Sequence, residues 1–375
     1  MNYCKHCLYP DTKPGLTFDD NGVCSACIAY YERTTIPWAK RENQFIELFE
    51  DVKDKFIYDC IVPVSGGKDS HYQVIKALEY GLKPLAVTAT TDDLSTIGRR
   101  NLNNISKLGV DHIEVSVNSQ IRRKIAAYAL REVGDISWAE HVTIFTIPVK
   151  EAIIRNIPYI IWGENPQNEY GGPNSDVQSK NLLERDWLQE FGGLNGLRVT
   201  DIIEQEIATK EEMWQYIMPE KIEGRFYPKG IFLGHFFAWN GEENAEIASK
   251  YGFERSPLPV EGCGKDYENL DNYQTGIHDY FKWLKFGFGR ATDVACNDIR
   301  RGRITRQEGK EYVLEFDGRY PTTYLGKSLE DILKRIDVSV EEFLELADKF
   351  TNPNLFHPRL KNRASPKLKW HILEV

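Results

Sequence analysis

Short apolar runs alternate along this chain with longer segments whose apolar residues recur every three or four positions. The runs at 58–64 (YDCIVPV), 83–91, 112–117, 157–162 and 231–235 have the length and composition of buried strands. Between them, helical spacing predicts helices over 38–56 (Phe45, Leu48, Phe49, Val52, Phe56), 69–80, 101–108, 121–133, 139–155 and 242–251. Strands separated by crossover helices imply an α/β fold with a doubly wound parallel sheet, which binds ligands at the carboxyl ends of its strands. Beyond Ser256 a Pro/Gly-rich link leads into an aromatic helix over 273–285. Two more amphipathic helices follow over 328–336 and 339–349. The expected organisation is an amino-terminal module (1–37), an α/β domain (38–255) and a mainly helical carboxy-terminal region (256–375).

Composition narrows the class. A 375-residue chain with 41% hydrophobic and 27% charged residues is ordinary globular material, neither disordered nor coiled-coil. Its longest apolar runs fall far short of the roughly 20 residues of a membrane span. The opening MNYCKHC has no signal-peptide core, so a cytoplasmic protein is expected. The net charge of −9 argues against a general nucleic-acid binder. Residues 282–310 nevertheless carry eight Lys/Arg against three acids, and 351–375 carry five against one, leaving −18 for the rest. Such a basic third beside an acidic body suits a local site for an anionic small molecule, although the tail alone reads as solvated surface.

Four of the seven cysteines fall in the first 27 residues, as Cys4-x-x-Cys7 and Cys24-x-x-Cys27. Two such turns close a tetrahedron of thiolates around Zn²⁺, and no open position is left for catalysis. The spacing therefore predicts a structural zinc site, with His6 a neighbour rather than a ligand.

The first strand ends in Ser65-Gly66-Gly67-Lys68-Asp69-Ser70 and a helix follows. A strand that turns through Ser-Gly-Gly into a helix makes an anion-binding nest, where backbone N–H groups and the helix amino terminus meet phosphate oxygens. Lys68 adds a cation, Ser65 and Ser70 add hydroxyls, and Asp69 could orient a phosphate-bound Mg²⁺. The spacing fits neither the Walker loop nor the dinucleotide fingerprint. It resembles the pyrophosphate loop of the PP-loop ATP pyrophosphatase superfamily, which implies cleavage of ATP between its α- and β-phosphates. The resemblance places adenine at the end of the second strand, near Val87 and Thr88. The fourth strand runs into Gly163-Glu164-Asn165-Pro-Gln-Asn-Glu169-Tyr-Gly-Gly, a loop too rich in functional groups for a simple connection. Lys285 and Arg290 flank a glycine-spaced loop suited to gripping a pyrophosphate or sugar phosphate, or merely close a helix carboxy terminus.

Taken together, the four-cysteine knuckle, SGGKDS, WGENPQNEYGG and GKDYENLDNYQTGIHDYFKWLKFGFGRATDVACNDIRRGRITR resemble the bacterial N-acetyl sugar amidotransferase family of O-antigen and flagellin sugar biosynthesis. That resemblance implies conversion of an acetamido group on a nucleotide-linked sugar to an acetamidino group, with AMP and pyrophosphate released. It also implies ammonia from a separate glutaminase, through partners similar to the two subunits of imidazole glycerol phosphate synthase. Lys68 and Asp69 would then serve the phosphates. Glu164 and Asn165 would face the reacting amide, ammonia or Mg²⁺. Lys265, Lys285 and Arg290 would hold substrate or pyrophosphate, and Gly163 would border the nucleotide. The competing expectation is a tRNA-modifying thiolase or ligase on the same fold, carrying sulfur on Cys263 and Cys296.

Overall fold

The computed structural model describes residues 1–164, 169 and 194–356. Five parallel strands form the central sheet: β1 (Cys60–Pro63), β2 (Pro84–Ala89), β3 (Asp111–Val115), β4 (Tyr159–Trp162) and β5 (Lys229–Phe232). Their spatial order is β3-β2-β1-β4-β5, with Cys60 level with Pro84 on one side and Tyr159 on the other. The chain thus winds one way to β3 and then crosses back past β1 to β4, which leaves a crevice where the order reverses.

The strands are apolar throughout because both faces are covered. Cys60 and Val62 point into a cluster with Phe45 and Phe49 of α2 (Trp38–Glu50), Val74 of α3 (Lys68–Glu79) and Leu102 of α4 (Thr96–Ile105). Ile61, Leu85 and Ile160 point the other way, against Ile147 and Val149 of α6 (Trp138–Arg155). Between β3 and α6 lies α5 (Ser119–Val133), and α7 (Val199–Glu204), α8 (Leu233–Phe236) and α9 (Gly241–Lys250) complete the α/β part.

Expected helix ends shift where caps, rather than periodicity, decide. The helix foreseen over 101–108 starts at Thr96, because buried Ser95 accepts from the Gly98 N–H at 2.8 Å and donates to the Leu270 carbonyl. The helix foreseen over 38–56 stops at Glu50; Asp54, four residues on, has φ +64°.

The carboxy-terminal region is helical apart from a two-residue hairpin, β6 (Thr323–Tyr324) with β7 (Lys327–Ser328). Its helices are α10 (Thr275–Phe286), α11 (Arg290–Arg300), α12 (Arg306–Phe316), α13 (Leu329–Lys334) and α14 (Val340–Phe350). The sequence pattern left α11 and α12 unassigned. The reason is physical: α11 buries Asp293, Asp298 and Arg300 beside Ala291, Ala295 and Ile299, so its inward face does not read as apolar. The amino-terminal knuckle shares one core with these helices, as Leu8, Tyr9 and the four cysteines pack with Phe288, Cys296, Ile299 and Val313. No helix among the described residues is long and apolar enough to cross a membrane.

Ser95 ties α4 to the Leu270 carbonyl of the following region. Ser95→Ala is therefore expected to lower unfolding stability by about 1–2 kcal/mol, measured by urea titration.

Candidate active site

The turn after β1 is shaped by close approach. Gly66 has φ +87°, and a Cβ there would stand 2.9 Å from the Leu102 nitrogen, so only glycine lets α4 come this near. Gly67 is the extended N-cap of α3 and donates its N–H to Ser65 Oγ at 3.3 Å. Ser70 Oγ and His71 Nδ1 both reach the Gly67 carbonyl at 2.9 Å, which fixes the first turn of α3.

This turn opens onto a cavity of about 330 Å³ at the carboxyl ends of β1, β2 and β4. Ser65, Asp69, Ser70, Gln73 and Glu164 form its polar end, and Val87, Ala89, Phe145, Pro148 and Trp162 its apolar walls. The volume lies at the lower end of the range for small-molecule sites. Gly163 also lines it, as expected from the sequence. Thr88 does not. One position along a strand reverses the face, and its hydroxyl donates to the Val64 carbonyl at 2.8 Å and lies 2.8 Å from His112 Nε2.

Behind the cavity sits a smaller chamber of about 50 Å³. Asp69 and Glu164 line both spaces. Lys68 turns into this rear chamber, contrary to the expected phosphate clamp. Its amine bonds Asp69 at 2.8 Å and Glu268 at 2.8 Å. Burial disfavours the ammonium, but these two carboxylates outweigh it and hold Lys68 well above the ordinary lysine range. Asp69 is also held by Asn244 Nδ2 at 2.9 Å. Burial, with Asp69 adding repulsion, raises the Glu164 carboxyl to about 7.

Several lining residues escaped the sequence reading: Glu242, Glu268, Asp298, Arg301 and Arg303. Their signal was complementary charge. The basic run after Ile299 meets acids from α9 and from α11 itself, with Arg303 on Glu242 at 2.7 Å and on Asp298 at 3.0 Å. Glu169 is gripped by Arg33 of α1 (Ser25–Arg33) and by Arg301 at 3.1 Å. Lys265 reaches the edge of this chamber through Asp298 at 2.9 Å. Lys285 and Arg290 are not brought here. Lys285 donates to the Val133 carbonyl at 3.1 Å, and Arg290 pairs with Asp279 at 3.3 Å beside a separate cleft. Asn165 lies outside the described residues.

The four amino-terminal cysteines are buried, with all their sulfur atoms within 4.8 Å of one another. Cys7 and Cys24 are 3.6 Å apart and Cys4 and Cys27 3.9 Å. Zn–S bonds of about 2.3 Å would set tetrahedral thiolates roughly 3.8 Å apart, so these residues fit the metal. Backbone N–H groups of Cys7 and Cys24 point at Cys4 Sγ (3.5 and 3.3 Å), and Arg306 donates to the carbonyls of Cys7 and Cys4 at 3.0 and 3.2 Å. His6 instead meets Tyr31 Oη at 2.6 Å.

Residues 261–369 match the family described as LPS biosynthesis protein WbpG-like, C-terminal domain. This agrees with the surface-sugar resemblance read from the sequence. No curated protein matches the chain. Among solved structures, NMN synthetase from Francisella tularensis is 13% identical with a TM-score of 0.29, covering 60% of this chain and 99% of its own. The NH3-dependent NAD synthetase from Campylobacter jejuni is 14% identical with a TM-score of 0.29, covering 50% and 100%. A predicted tRNA methyltransferase subunit from Methanocaldococcus jannaschii is 16% identical with a TM-score of 0.28, covering 63% and 92%.

Two outcomes follow from this geometry. The purified chain should carry one zinc per molecule by elemental analysis, and Cys7→Ser should lose it and lower Tm by about 5 °C or more. Gly66→Ala combines a left-handed φ with a backbone clash, so it should cost more than about 1–2 kcal/mol of unfolding stability, measured by urea titration.

Proposed function

We propose that this chain is an ATP-dependent amidotransferase that converts an acetamido group of a nucleotide-linked sugar to an acetamidino group. The observation that carries the reading is the sharing of Asp69 and Glu164 by the two spaces. A nucleotide in the front cavity would present its α-phosphate to a group entering from the rear. The WbpG-like domain over 261–369 supports a surface-polysaccharide substrate.

An amide oxygen is a weak nucleophile and its carbon a poor electrophile, so activation must come first. The amide oxygen attacks the α-phosphate, the bond to the β-phosphate breaks, and pyrophosphate leaves as the amide N–H proton is released. Ammonia then adds to the imidate carbon, the C–O bond breaks, and AMP departs. The Ser65–Ser70 turn and the amino end of α3 would bind the β- and γ-phosphates, and the apolar walls beside Val87 and Phe145 would take the base. Asp69 is the carboxylate in position for the Mg²⁺ that accompanies ATP. Lys68, with Glu268 behind it, would orient Asp69. Glu164, poised near neutrality, would take the proton from the ammonia adduct. In this reading the ammonia comes from a separate glutaminase and its cyclase-like companion, and the unit spans 1–37, 38–255 and 256–375 act as one. The thiolase alternative loses support because Cys263 and Cys296 are fully buried in different core clusters, and burial pushes the Cys263 thiol up.

The test is release of AMP and pyrophosphate from ATP with Mg²⁺ and ammonium across a panel of UDP- and CMP-linked acetamido sugars. Sugar-dependent AMP, with a product one mass unit lighter, is expected; sugar-dependent ADP overturns the proposal. The raised Glu164 carboxyl is protonated below about pH 7, so kcat should climb as pH rises through that value. Glu164→Gln should lower kcat by about 10²–10⁴-fold and flatten that limb of the profile.

A further inference from the structure

A second cleft, of about 260 Å³, lies between the amino-terminal halves of α10 and α11, the end of α12 and the strand β6. All of its lining residues fall between 261 and 324, inside the stretch that matches the WbpG-like family, and none belongs to the α/β part. Arg290 borders this cleft, while Asp298, eight residues along α11, borders the rear chamber. About 12 Å of helix therefore separates the two.

The charges of the cleft are already engaged. Arg290 pairs with Asp279 at 3.3 Å, and Arg319 pairs with Glu315 at 3.6 Å. Asp317 caps α11, accepting from the Gly289 N–H at 2.8 Å, the Ala291 N–H at 2.9 Å and the Thr292 hydroxyl at 2.6 Å. Glu261 accepts from the Thr323 hydroxyl at 3.2 Å and the Leu325 N–H at 3.1 Å. A phosphate would meet a helix end whose positive pole is taken and guanidinium groups that have their acids.

What stays open is of another kind. The Tyr320 and Thr322 hydroxyls line the cleft and bond no protein group among the described residues. Half-buried Phe316 and Tyr320 add aromatic surface. The Tyr320 ring is held edge-on by Tyr280 at 5.9 Å and by Phe343 at 6.0 Å. The negative face of an aromatic ring suits the C–H face of a saturated ring, and open hydroxyls suit a ligand that is itself rich in them. A pyranose has both features.

We infer that this cleft is a carbohydrate-binding site, separate from the ATP cavity and the rear chamber, and that it takes one uncharged pyranose ring. The ligand class follows from the chemistry of the cleft and holds whichever reaction the chain catalyses.

The experiment is saturation-transfer NMR on the full chain with the front cavity filled by a non-hydrolysable ATP analogue. The probes are the methyl glycosides of glucose, galactose and N-acetylglucosamine. At least one should bind, with an affinity that added salt leaves unchanged. Thr322→Ala trims an exposed side chain and Tyr320→Phe keeps the ring, so folding should be spared in both. Each should weaken the glycoside by about three- to tenfold, while ATP-analogue affinity and zinc content stay at wild-type values. No binding of any probe to wild type overturns the inference, as does wild-type affinity in both variants. Binding seen only when the ATP analogue is omitted also overturns it, by placing the sugar in the front cavity. Displacement by inorganic phosphate or methylammonium does the same, by making the cleft an ion site. Glycoside binding with these losses, but no sugar-dependent AMP release, would keep this site and sink the amidotransferase; AMP release without glycoside binding would do the reverse.

Discussion

Helix α11 is wedged between the core of the cysteine knuckle and the rear chamber, and the shape of that chamber depends on the wedge. On one side Ala295, Cys296 and Ile299 close the core of the cysteine knuckle. On another, Asn297, Asp298 and Arg301 form the wall of the rear chamber. A helix burying this many charges is stable only if each finds a partner, since an unpaired ion in low dielectric costs several kcal/mol. Those partners come from distant parts of the chain: Tyr9 for Asp293, Glu169 for Arg301, Lys265 for Asp298. Electrostatic satisfaction thus fixes where the carboxy-terminal region sits on the α/β domain.

The ordering of carboxylates in the chamber follows from the same economy of partners. Lys68 has two acids to itself, so Asp69 stays anchored, and Asn244 fixes its second oxygen. Glu164 has burial and two like-charged neighbours, Asp69 and Glu169, against it, and only Lys68 and a backbone hydrogen bond in its favour. Crowding by like charge and burial in this way raises the Glu164 carboxyl toward neutrality, the range in which a carboxyl group can exchange protons.

Much of the fold was legible in the sequence because the sheet is buried on both faces. Strands such as Cys60–Pro63 and Tyr159–Trp162 then appear as apolar runs, and the turn Ser65–Gly67 marks the crevice directly. The cysteine spacing was equally direct, since both pairs lie close in sequence. The α11–α12 pair was hidden because its inward residues are charged and paired. The side-chain directions of Lys68 and Thr88 were hidden for another reason: motif position gives the residue but not the rotamer or the strand face. Lys285 looked like Arg290 by position, yet a helix carboxy terminus turned it to the Val133 carbonyl.

The contact between the Leu8 N–H and Cys296 Sγ joins residues 288 positions apart. At 5–20 residues per second, a ribosome needs roughly 15–60 s to make that stretch. For most of that interval the knuckle is outside the exit tunnel with Leu8 and Tyr9 uncovered, long after its own cysteines are complete. Metal capture can fold the turn early, but its apolar underside has no cover until α11 emerges. A segment made before α11 by about 260 residues is thus sealed late, and its exposure to chaperones and proteases is set by translation speed.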